Sequence, residues 1–232
     1  MNIVIATLKT WNIEYSKKLI KKYQGEHRIS LITSKEELTE EVLSDINPDY
    51  VFFPHWSYII PAKIYEKYEC VVFHMTDLPF GRGGSPLQNL IVRGIYDTKV
   101  SAIKVRKGVD TGPIYMKEPI NISEGNANDI FSKISEIVFE KMIPTFLSGE
   151  KINPIEQSGE IVTFKRRTPL DSMIPNGLSQ RQLYDFIRML DGEGYPRAYI
   201  KNGLERIEFY SANYNDGVVS AKMITVEEKT DE

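Results

Sequence analysis

The sequence has very little of the residues that build disulfide-bonded or metal-binding proteins. It contains one cysteine, Cys70, and three histidines, His27, His55 and His74, which are scattered along the chain. A lone thiol has no intrachain disulfide partner, and the scattered histidines give none of the spacings typical of a zinc site. We therefore expect no bound metal and a reduced, cytoplasmic environment.

Long apolar runs and an excess of one charge are also missing. No segment approaches the ~20 apolar residues that cross a bilayer, and the amino terminus lacks the pattern of a signal peptide. The net charge is −3. Because bulk binding of nucleic acid normally needs a basic face, neither a nucleic acid nor a membrane is an expected partner.

The turn after the first predicted strand lacks the glycine pattern of dinucleotide-binding proteins, so a dinucleotide cofactor is not expected. It offers instead a cation, a hydroxyl and a flat ring in Lys9, Thr10 and Trp11. These groups would suit the phosphates and base of a nucleotide-linked substrate. The alternative is that Trp11 packs on the sheet while Lys9 is solvated.

What the chain does have is an alternation of apolar strands and amphipathic helices. Strands are predicted at 2–7, 28–33, 49–54, 70–73, 98–105 and 114–120, and helices at 13–23, 36–43, 62–68, 86–93 and 126–147. This alternation predicts an α/β, Rossmann-like fold with a mostly parallel sheet. The expected domains are 1–150 and a small C-terminal α+β extension over 151–232, with a helix at 180–190.

The stretch from residue 70 to residue 91 holds the strongest candidate site. His74 follows an apolar run and is expected at the carboxyl end of a parallel strand, the edge where ligands bind in open α/β sheets. The glycine-rich loop at 78–84 would let a ligand approach the backbone, and Ser85 and Pro86 would begin the next helix. A structural histidine beside an ordinary turn is the alternative.

A second loop strengthens this prediction. Asp110 lies in the tight turn at 108–113, which ends the strand predicted at 98–105. A histidine and an aspartate at adjacent strand ends can form a general base and its electrostatic partner.

The two loops together resemble the folate-dependent formyltransferases. The resemblance rests on His-x-x-x-Leu-Pro-x-x-Arg-Gly from His74 to Gly83 and on Val-Asp-Thr-Gly at 109–112, and it covers about residues 1 to 150 well. It implies a sheet of the formyltransferase type and transfer of a formyl group from 10-formyltetrahydrofolate. By position, His74 would be the base and Asp110 its partner.

The resemblance also implies where the folate binds. Main-chain groups of Tyr58 and Ile60 would contact the pterin ring, and Lys107 and Asp110 would hold the donor. Packing of the aromatic side chains of this segment in the core is compatible with these main-chain contacts.

One position departs from the family pattern, which usually reads Asn-x-His. The chain has Val72 there, and a valine cannot donate a hydrogen bond to the oxyanion that forms during transfer. Loss of such a donor typically costs about 3 to 4 kcal/mol. Asn89 is the first candidate replacement, with helix amides near Ser85 or the Thr76 hydroxyl as alternatives; a water-facing Asn89 is the competing interpretation.

The run 73–91 is similar to the sugar N-formyltransferase branch of the family. We therefore expect the acceptor to be the amine of a nucleotide-linked amino sugar, for example UDP-linked and of the pseudaminic type. The substrate-binding residues would then be Lys9, Thr10, Trp11, Arg82 and Gly83. The expected partners are this sugar and folate, with a homodimer left open.

Other functions remain open at this point. A formyltransferase acting on methionyl-tRNA would share the motifs, although the acidic charge and the short region after residue 150 count against it. A formyl-folate hydrolase or a non-catalytic binder would also share the fold. The basic run Lys165, Arg166 and Arg167 could meet phosphates or be a solvated face, and Tyr184, Arg188 and Tyr195 suggest an interface.

Overall fold

The structure, a computed structural model, describes residues 1–227. Two compact units divide the chain. The first comprises Met1–Gly83, Thr98–Ile120 and Ser132–Thr163, and the second comprises Gly84–Asp97, Asn121–Phe131 and the chain from Phe164 onward. Each unit is thus assembled from separate segments, whereas the sequence predicts a single cut near residue 150. The charged end that we expect to be frayed lies, from residue 228, outside the described residues.

Three sheets are formed by the described strands. The strands are β1 (Asn2–Ala6), β2 (Arg28–Ile32), β3 (Tyr50–Pro54), β4 (Cys70–His74), β5 (Phe80–Gly83), β6 (Asp97–Lys104), β7 (Ile114–Asn121), β8 (Val162–Phe164), β9 (Ala198–Asn202), β10 (Glu205–Asn215) and β11 (Val218–Glu227). The main sheet has the order β2-β1-β3-β4-β6-β7. Strands β1 to β4 pair in parallel, while β6 runs antiparallel to β4. The predicted Rossmann-like, mostly parallel sheet is confirmed.

Buried strands form the centre of the first unit because their side chains are apolar on both faces. Ile3, Val51, Phe52 and Val71 are fully buried. This continuous apolar pattern is typical of parallel strands covered by helices on both sides. Because β1, β3 and β4 pair in parallel, their carboxyl ends lie at the same edge of the sheet.

The predicted helices start within one residue of the prediction except for the first two, which start at Thr10 rather than 13 and at Glu40 rather than 36. They are α1 (Thr10–Lys22), α2 (Glu40–Ile46), α3 (Ala62–Tyr65), α4 (Pro86–Val92), α5 (Ala127–Ile137), α6 (Ile143–Leu147) and α7 (Gln180–Arg188). Helix α1 begins at Thr10, so Trp11 lies in its first turn rather than in a loop.

Helix α2 is misplaced in the sequence prediction because two capping patterns compete. A capping box from Ser34 predicts a helix at 36–43, and Ser34 Oγ does accept the Glu37 N–H (3.3 Å). That segment forms only a turn. The helix starts after Thr39, whose hydroxyl oxygen accepts the Val42 N–H at 3.2 Å.

The long helix predicted at 126–147 is interrupted by a wide turn. A π-helical segment, Val138–Met142, joins α5 to α6. Pro144 sits at the start of α6 and cannot donate a backbone N–H. The wider turn accommodates the proline, so the helical segment and its buried apolar side chains continue into α6.

The second unit carries an antiparallel sheet of order β11-β10-β9 beside the amphipathic helix α7. Helix α7 starts at Gln180, as predicted, and Ser179 and Gln182 form a capping box at its start. Strand β10 pairs with both β9 and β11, so this small unit matches the expected α+β extension. A two-stranded sheet of β5 and β8 was not predicted.

Candidate active site

The imidazole of His74 lies at the carboxyl end of β4, as predicted, and is 8% exposed. Its Nε2 is 2.8 Å from the Gly81 carbonyl oxygen. Because a carbonyl oxygen can only accept, Nε2 must carry the hydrogen and Nδ1 must be the unprotonated nitrogen of the neutral ring. The glycine loop thereby selects the tautomer, and Nδ1 is the atom that can act as a base.

The basic nitrogen of His74 faces a carboxylate. Nδ1 lies 3.5 Å from Oδ2 of Asp110, whose side chain is 15% exposed. In the neutral ring both Nδ1 and Oδ2 are hydrogen-bond acceptors, so no hydrogen bond joins them and the Nδ1 lone pair can take up a proton. When the ring accepts a proton, however, the Asp110 charge stabilises the resulting cation.

The Asp110 loop is held in a conformation that few side chains adopt. Asp110 has φ 52°, in the left-handed region, where aspartate is tolerated better than bulkier residues. Its Oδ2 also accepts the Gly83 N–H at 2.8 Å. The turn then passes so close to β6 that a Cβ on Gly112 would lie 1.6 Å from the Lys104 carbonyl oxygen. Strained residues held by their surroundings in this way are frequent at functional sites.

The segment expected to hold folate combines buried and exposed apolar groups. Ile60 is buried, whereas Tyr58 is 48% and Ile59 is 80% exposed. The Tyr58 ring contacts Trp56 edge-on and carries Lys35 Nζ 5.0 Å from its centroid. An exposed apolar segment of this kind fits a flat heterocycle. Lys107 is also exposed, and its carbonyl oxygen accepts the Thr111 hydroxyl.

The Lys9, Thr10 and Trp11 group lies at the start of α1. Lys9 Nζ is 5.5 Å from the centroid of the Trp11 ring, which also meets His55 edge-on with centroids 5.6 Å apart. Trp11 therefore packs against the loop after β3 and is half exposed. This agrees with the alternative that Trp11 has a packing role. A role in substrate binding stays a prediction.

The imidazole of His55 is an additional group that the sequence did not single out. Burial, together with the positive charge of Lys9, lowers the pKa of His55 to about 4. A histidine in the unfolded chain has a pKa of about 6.5. Between these values the unfolded chain binds a proton that the folded chain does not, so the free energy of unfolding falls as the pH is lowered through this range.

We expect His55→Asn to flatten this pH dependence. Asparagine tolerates the left-handed backbone at residue 55 (φ 54°) and does not titrate. Urea denaturation at about pH 7 and about pH 5 measures the effect. If the variant and the natural chain lose the same free energy of unfolding on acidification, His55 is not the group responsible.

The position of Val72 provides no polar group. Its side chain lies on the same face of β4 as His74 and packs against the apolar cluster around Phe53 and Ile64. The Thr76 hydroxyl is fully buried and points to the Gly81 carbonyl oxygen at 3.4 Å. A fully buried hydroxyl directed at the backbone does not favour the oxyanion role considered for Thr76.

The amide of Asn89 is already used by the backbone. Its Nδ2 donates to the carbonyl oxygens of Gly84 (3.1 Å), Ser85 (3.0 Å) and Lys165 (3.0 Å), and its Oδ1 accepts from Arg93 Nη1 at 2.9 Å. With both amide hydrogens committed, Asn89 has a structural role and is not favoured as the oxyanion donor. The alternative of an amide facing water is wrong, because Asn89 is buried.

Helix α4 begins at Pro86, as predicted, but the expected side-chain cap from Ser85 is absent. Ser85 adopts φ 50°. Its Oγ instead accepts the Arg167 N–H at 3.0 Å. Asn89 and Ser85 together therefore fix the basic run to α4.

We expect Asn89→Ala to cost stability rather than catalysis. Removal of the amide deprives the part-buried carbonyl groups of Gly84 and Lys165 of this donor, whereas the Ser85 carbonyl still accepts the backbone N–H of residue 89. The expected cost is about 1 to 3 kcal/mol of the free energy of unfolding. Denaturation with urea measures this loss, and kcat should stay within a few fold per folded molecule. A kcat lowered by about 100-fold at unchanged stability would instead return Asn89 to the oxyanion role.

Two predicted substrate-binding residues are tied to other parts of the site. The guanidinium of Arg82 donates from Nε (3.0 Å) and Nη2 (2.8 Å) to Oε1 of Gln157, and the Gly83 N–H is donated to Asp110. Gln157 was missed by the sequence analysis. The sequence around it offers only a single glutamine between Pro154 and Gly159, in a segment with no motif.

The basic run separates into two kinds of residue. Lys165 and Arg166 are exposed. The Arg167 guanidinium donates to the Asp171 carbonyl oxygen and lies over the Phe186 ring at 5.6 Å, and burial lowers the pKa of Arg167. Arg167 is therefore part of the second unit's packing. Arg188 is buried as well, with Nε 2.6 Å from Oδ1 of Asp185, so it too is structural rather than part of an open interface.

Residues 1–227 contain no cluster of three or more histidine, cysteine or carboxylate side chains that could hold a metal ion. The helices of this part of the chain include none with the length and apolar character needed to span a bilayer.

Comparison with family models gives two matches. A model described as formyl transferase matches residues 12–142, and one described as methionyl-tRNA formyltransferase, C-terminal domain, matches residues 169–225.

Similar proteins carry the same description. A solved structure of a methionyl-tRNA formyltransferase from Clostridium thermocellum is 51% identical, with a TM-score of 0.95, and the match covers 98% of this chain and 99% of that one. A methionyl-tRNA formyltransferase from Campylobacter jejuni is 27% identical over 75% of this chain and 56% of its own length. The chain spans about half the length of the curated relatives it matches.

Sugar enzymes of this fold are more distant. A sugar N-formyltransferase from a Shewanella species is 12% identical, with a TM-score of 0.66 and 99% coverage of both chains. At that identity the likeness shows the fold alone.

Proposed function

The chain belongs to the formyl transferase family, and on that premise we propose that it transfers a formyl group to the amine of a methionyl-tRNA. The observation that carries the proposal is the 51% identity, over nearly the whole of both chains, with the methionyl-tRNA formyltransferase from Clostridium thermocellum. The match of residues 169–225 to the C-terminal domain of such enzymes supports it. The formyl donor is 10-formyltetrahydrofolate.

The expectation of a nucleotide-linked amino sugar as acceptor is wrong. It rested on the run 73–91 alone, whereas the family-model match over 169–225 and the 51% identical structure both carry the methionyl-tRNA description. The related expectations of a carbohydrate pathway and of no nucleic-acid partner are corrected with it. Net charge misled the sequence analysis because it averages over the whole surface, while nucleic acid is bound by local groups.

The His74 and Asp110 pair supplies the proton chemistry that formyl transfer needs. The neutral amine nitrogen forms a bond to the formyl carbon, whose oxygen becomes an oxyanion. The carbonyl then re-forms as the bond from that carbon to N10 of the folate breaks. The proton lost by the amine goes to Nδ1 of His74, and the imidazolium gives a proton to N10 as N10 leaves. Asp110, 3.5 Å from Nδ1, stabilises the imidazolium in the interval.

The oxyanion donor is assigned by elimination within the side chains considered. Val72 cannot donate, and the donors of Asn89 and Thr76 are directed at backbone carbonyl groups. A main-chain amide or a water molecule therefore takes this role in the proposal. Tyr58, Ile60 and Lys107 remain the groups proposed for folate binding.

Exposed cations provide a physical basis for binding the RNA. Lys165 and Arg166 extend from a segment whose backbone is fixed by Asn89 and Ser85. Cations on a fixed backbone lose less conformational freedom when they meet phosphates. We also keep Lys9, Thr10 and Trp11 as a proposed contact for the substrate, and a cytoplasmic location as a prediction from the single cysteine.

The test is an acceptor comparison with the purified chain. The protein is incubated with 10-formyltetrahydrofolate and, in parallel, methionyl-tRNA, free methionine or a nucleotide-linked amino sugar, and products are identified by mass spectrometry. We expect formyl-methionyl-tRNA, with a rate that falls as salt is raised. Formylation of the amino sugar alone, or release of formate without an amine, would contradict the proposal.

A further inference from the structure

Gln157 connects the loop that carries Asp110 to Arg82 in β5, the strand whose Gly81 carbonyl binds the His74 ring. Its Nε2 donates to the carbonyl oxygens of Asp110 (2.8 Å) and Gly112 (2.7 Å), and its Oε1 accepts both hydrogen bonds from Arg82. Both amide hydrogens and both carbonyl lone pairs are therefore used. In the segment 155–161 all residues except Gln157 are exposed, so Gln157 is the one residue of this segment that turns inward.

These contacts close a ring of interactions around the Asp110 carboxylate. Gly83, bonded covalently to Arg82, donates its N–H to Oδ2 of Asp110 at 2.8 Å. Arg82 donates to Oε1 of Gln157, and Nε2 of Gln157 donates to the backbone carbonyl oxygen of Asp110, which closes the ring. Since Oδ2 is also the atom nearest to Nδ1 of His74, the ring fixes the oxygen that faces the base.

The ring also explains how a strained residue stays in place. Asp110 has φ 52°, which is costly for a residue other than glycine. The two carbonyl groups that flank Thr111 converge on one amide, and this convergence is possible only while the turn keeps its shape. We propose that Gln157 is a positioning residue that sets the orientation of Asp110 towards His74.

Two substitutions separate the halves of this contact. Gln157→Glu keeps an oxygen for Arg82 but turns the other oxygen, now a charged acceptor, towards two carbonyl groups. Gln157→Leu removes both halves. The matched control is Gln88→Leu, because Gln88 is a buried glutamine whose Nε2 donates to the Met189 carbonyl at 3.0 Å, without contact to this ring of interactions.

The first measurement needs no acceptor. The chain has three histidines, so the ring resonances of His27, His55 and His74 can be followed by NMR, with His74 assigned from the His74→Gln variant. We expect both Gln157 variants to shift the His74 resonances and leave those of His27 and His55 unchanged, while Gln88→Leu leaves the His74 resonances in place. His74 resonances that coincide with the natural chain in folded variants would overturn the proposal.

The second measurement rests on the proposed function and uses methionyl-tRNA. Mispositioning of a catalytic group should lower kcat by about 10- to 100-fold with little change in KM. Lower thermal stability with unchanged kcat would mean that Gln157 only holds the fold. If the natural chain transfers no formyl group, the NMR result still decides the role of Gln157, so the two failures are distinguishable.

Discussion

His74→Gln is expected to lower kcat for formyl transfer by at least about 100-fold, since a positioned general base contributes roughly 10²- to 10⁴-fold. Glutamine can still donate to the Gly81 carbonyl, which now holds Nε2 at 2.8 Å, but its amide cannot take up a proton near neutral pH. The measurement is the initial rate at saturating donor and acceptor, with circular dichroism to verify the fold.

The matched control for this change is His27→Gln. His27 lies in the connection between α1 and β2. Its Nδ1 is 3.4 Å from the terminal amine of Met1. We expect that variant to retain full activity. A His74→Gln enzyme working within a few fold of the natural rate would remove His74 from the mechanism.

The central sheet could be predicted because its strands are self-evident in sequence. β1, β3 and β4 are short apolar runs separated by polar segments of helical length, and each occurs close to its predicted limits. Burial on both faces leaves this pattern little freedom, so local sequence and tertiary structure agree. The position of His74 at a strand end follows directly from β4.

The starts of helices were harder to predict because several hydroxyl side chains near a start can each accept a backbone N–H, and only one of them marks the helix. Ser34 and Thr39 both offer a hydroxyl to a following N–H, and packing of the fully buried Leu43 accompanies the helix that starts after Thr39. Serine is a preferred residue type for a cap, yet Oγ of Ser85 accepts the N–H of Arg167, a residue distant in sequence. Propensity is a weak guide where tertiary contacts offer an alternative partner.

The sequence predicts the two candidate groups His74 and Asp110 but not the residues that hold them in place. His74 and Asp110 have motifs around them, and the structure brings their side chains together at 3.5 Å. Gln157 has no motif, since its role depends on contacts with residues that are 75 and 47 positions away. The contacts of Asn89 were hidden for the same reason, because one of its three acceptors is the carbonyl of the distant residue Lys165.

Asp110→Asn should impair transfer about as severely as the loss of His74. Asparagine tolerates the left-handed backbone at φ 52° and can still accept the Gly83 N–H, so the loop should keep its shape. What disappears is the negative charge 3.5 Å from Nδ1, and with it the stabilisation of the imidazolium as the amine loses its proton. We expect kcat to fall by about 100-fold or more at similar KM.

The double variant His74→Gln with Asp110→Asn provides the sharper measurement. If the carboxylate acts only through the protonated imidazole, its removal from an enzyme without the base should cost little more, as in other groups that act as a unit. Asp216→Asn is the matched control, because Asp216 is an exposed aspartate in the β10–β11 turn with a similar φ of 49°. Losses that multiply in the double variant would instead assign Asp110 a contact with substrate that is independent of His74.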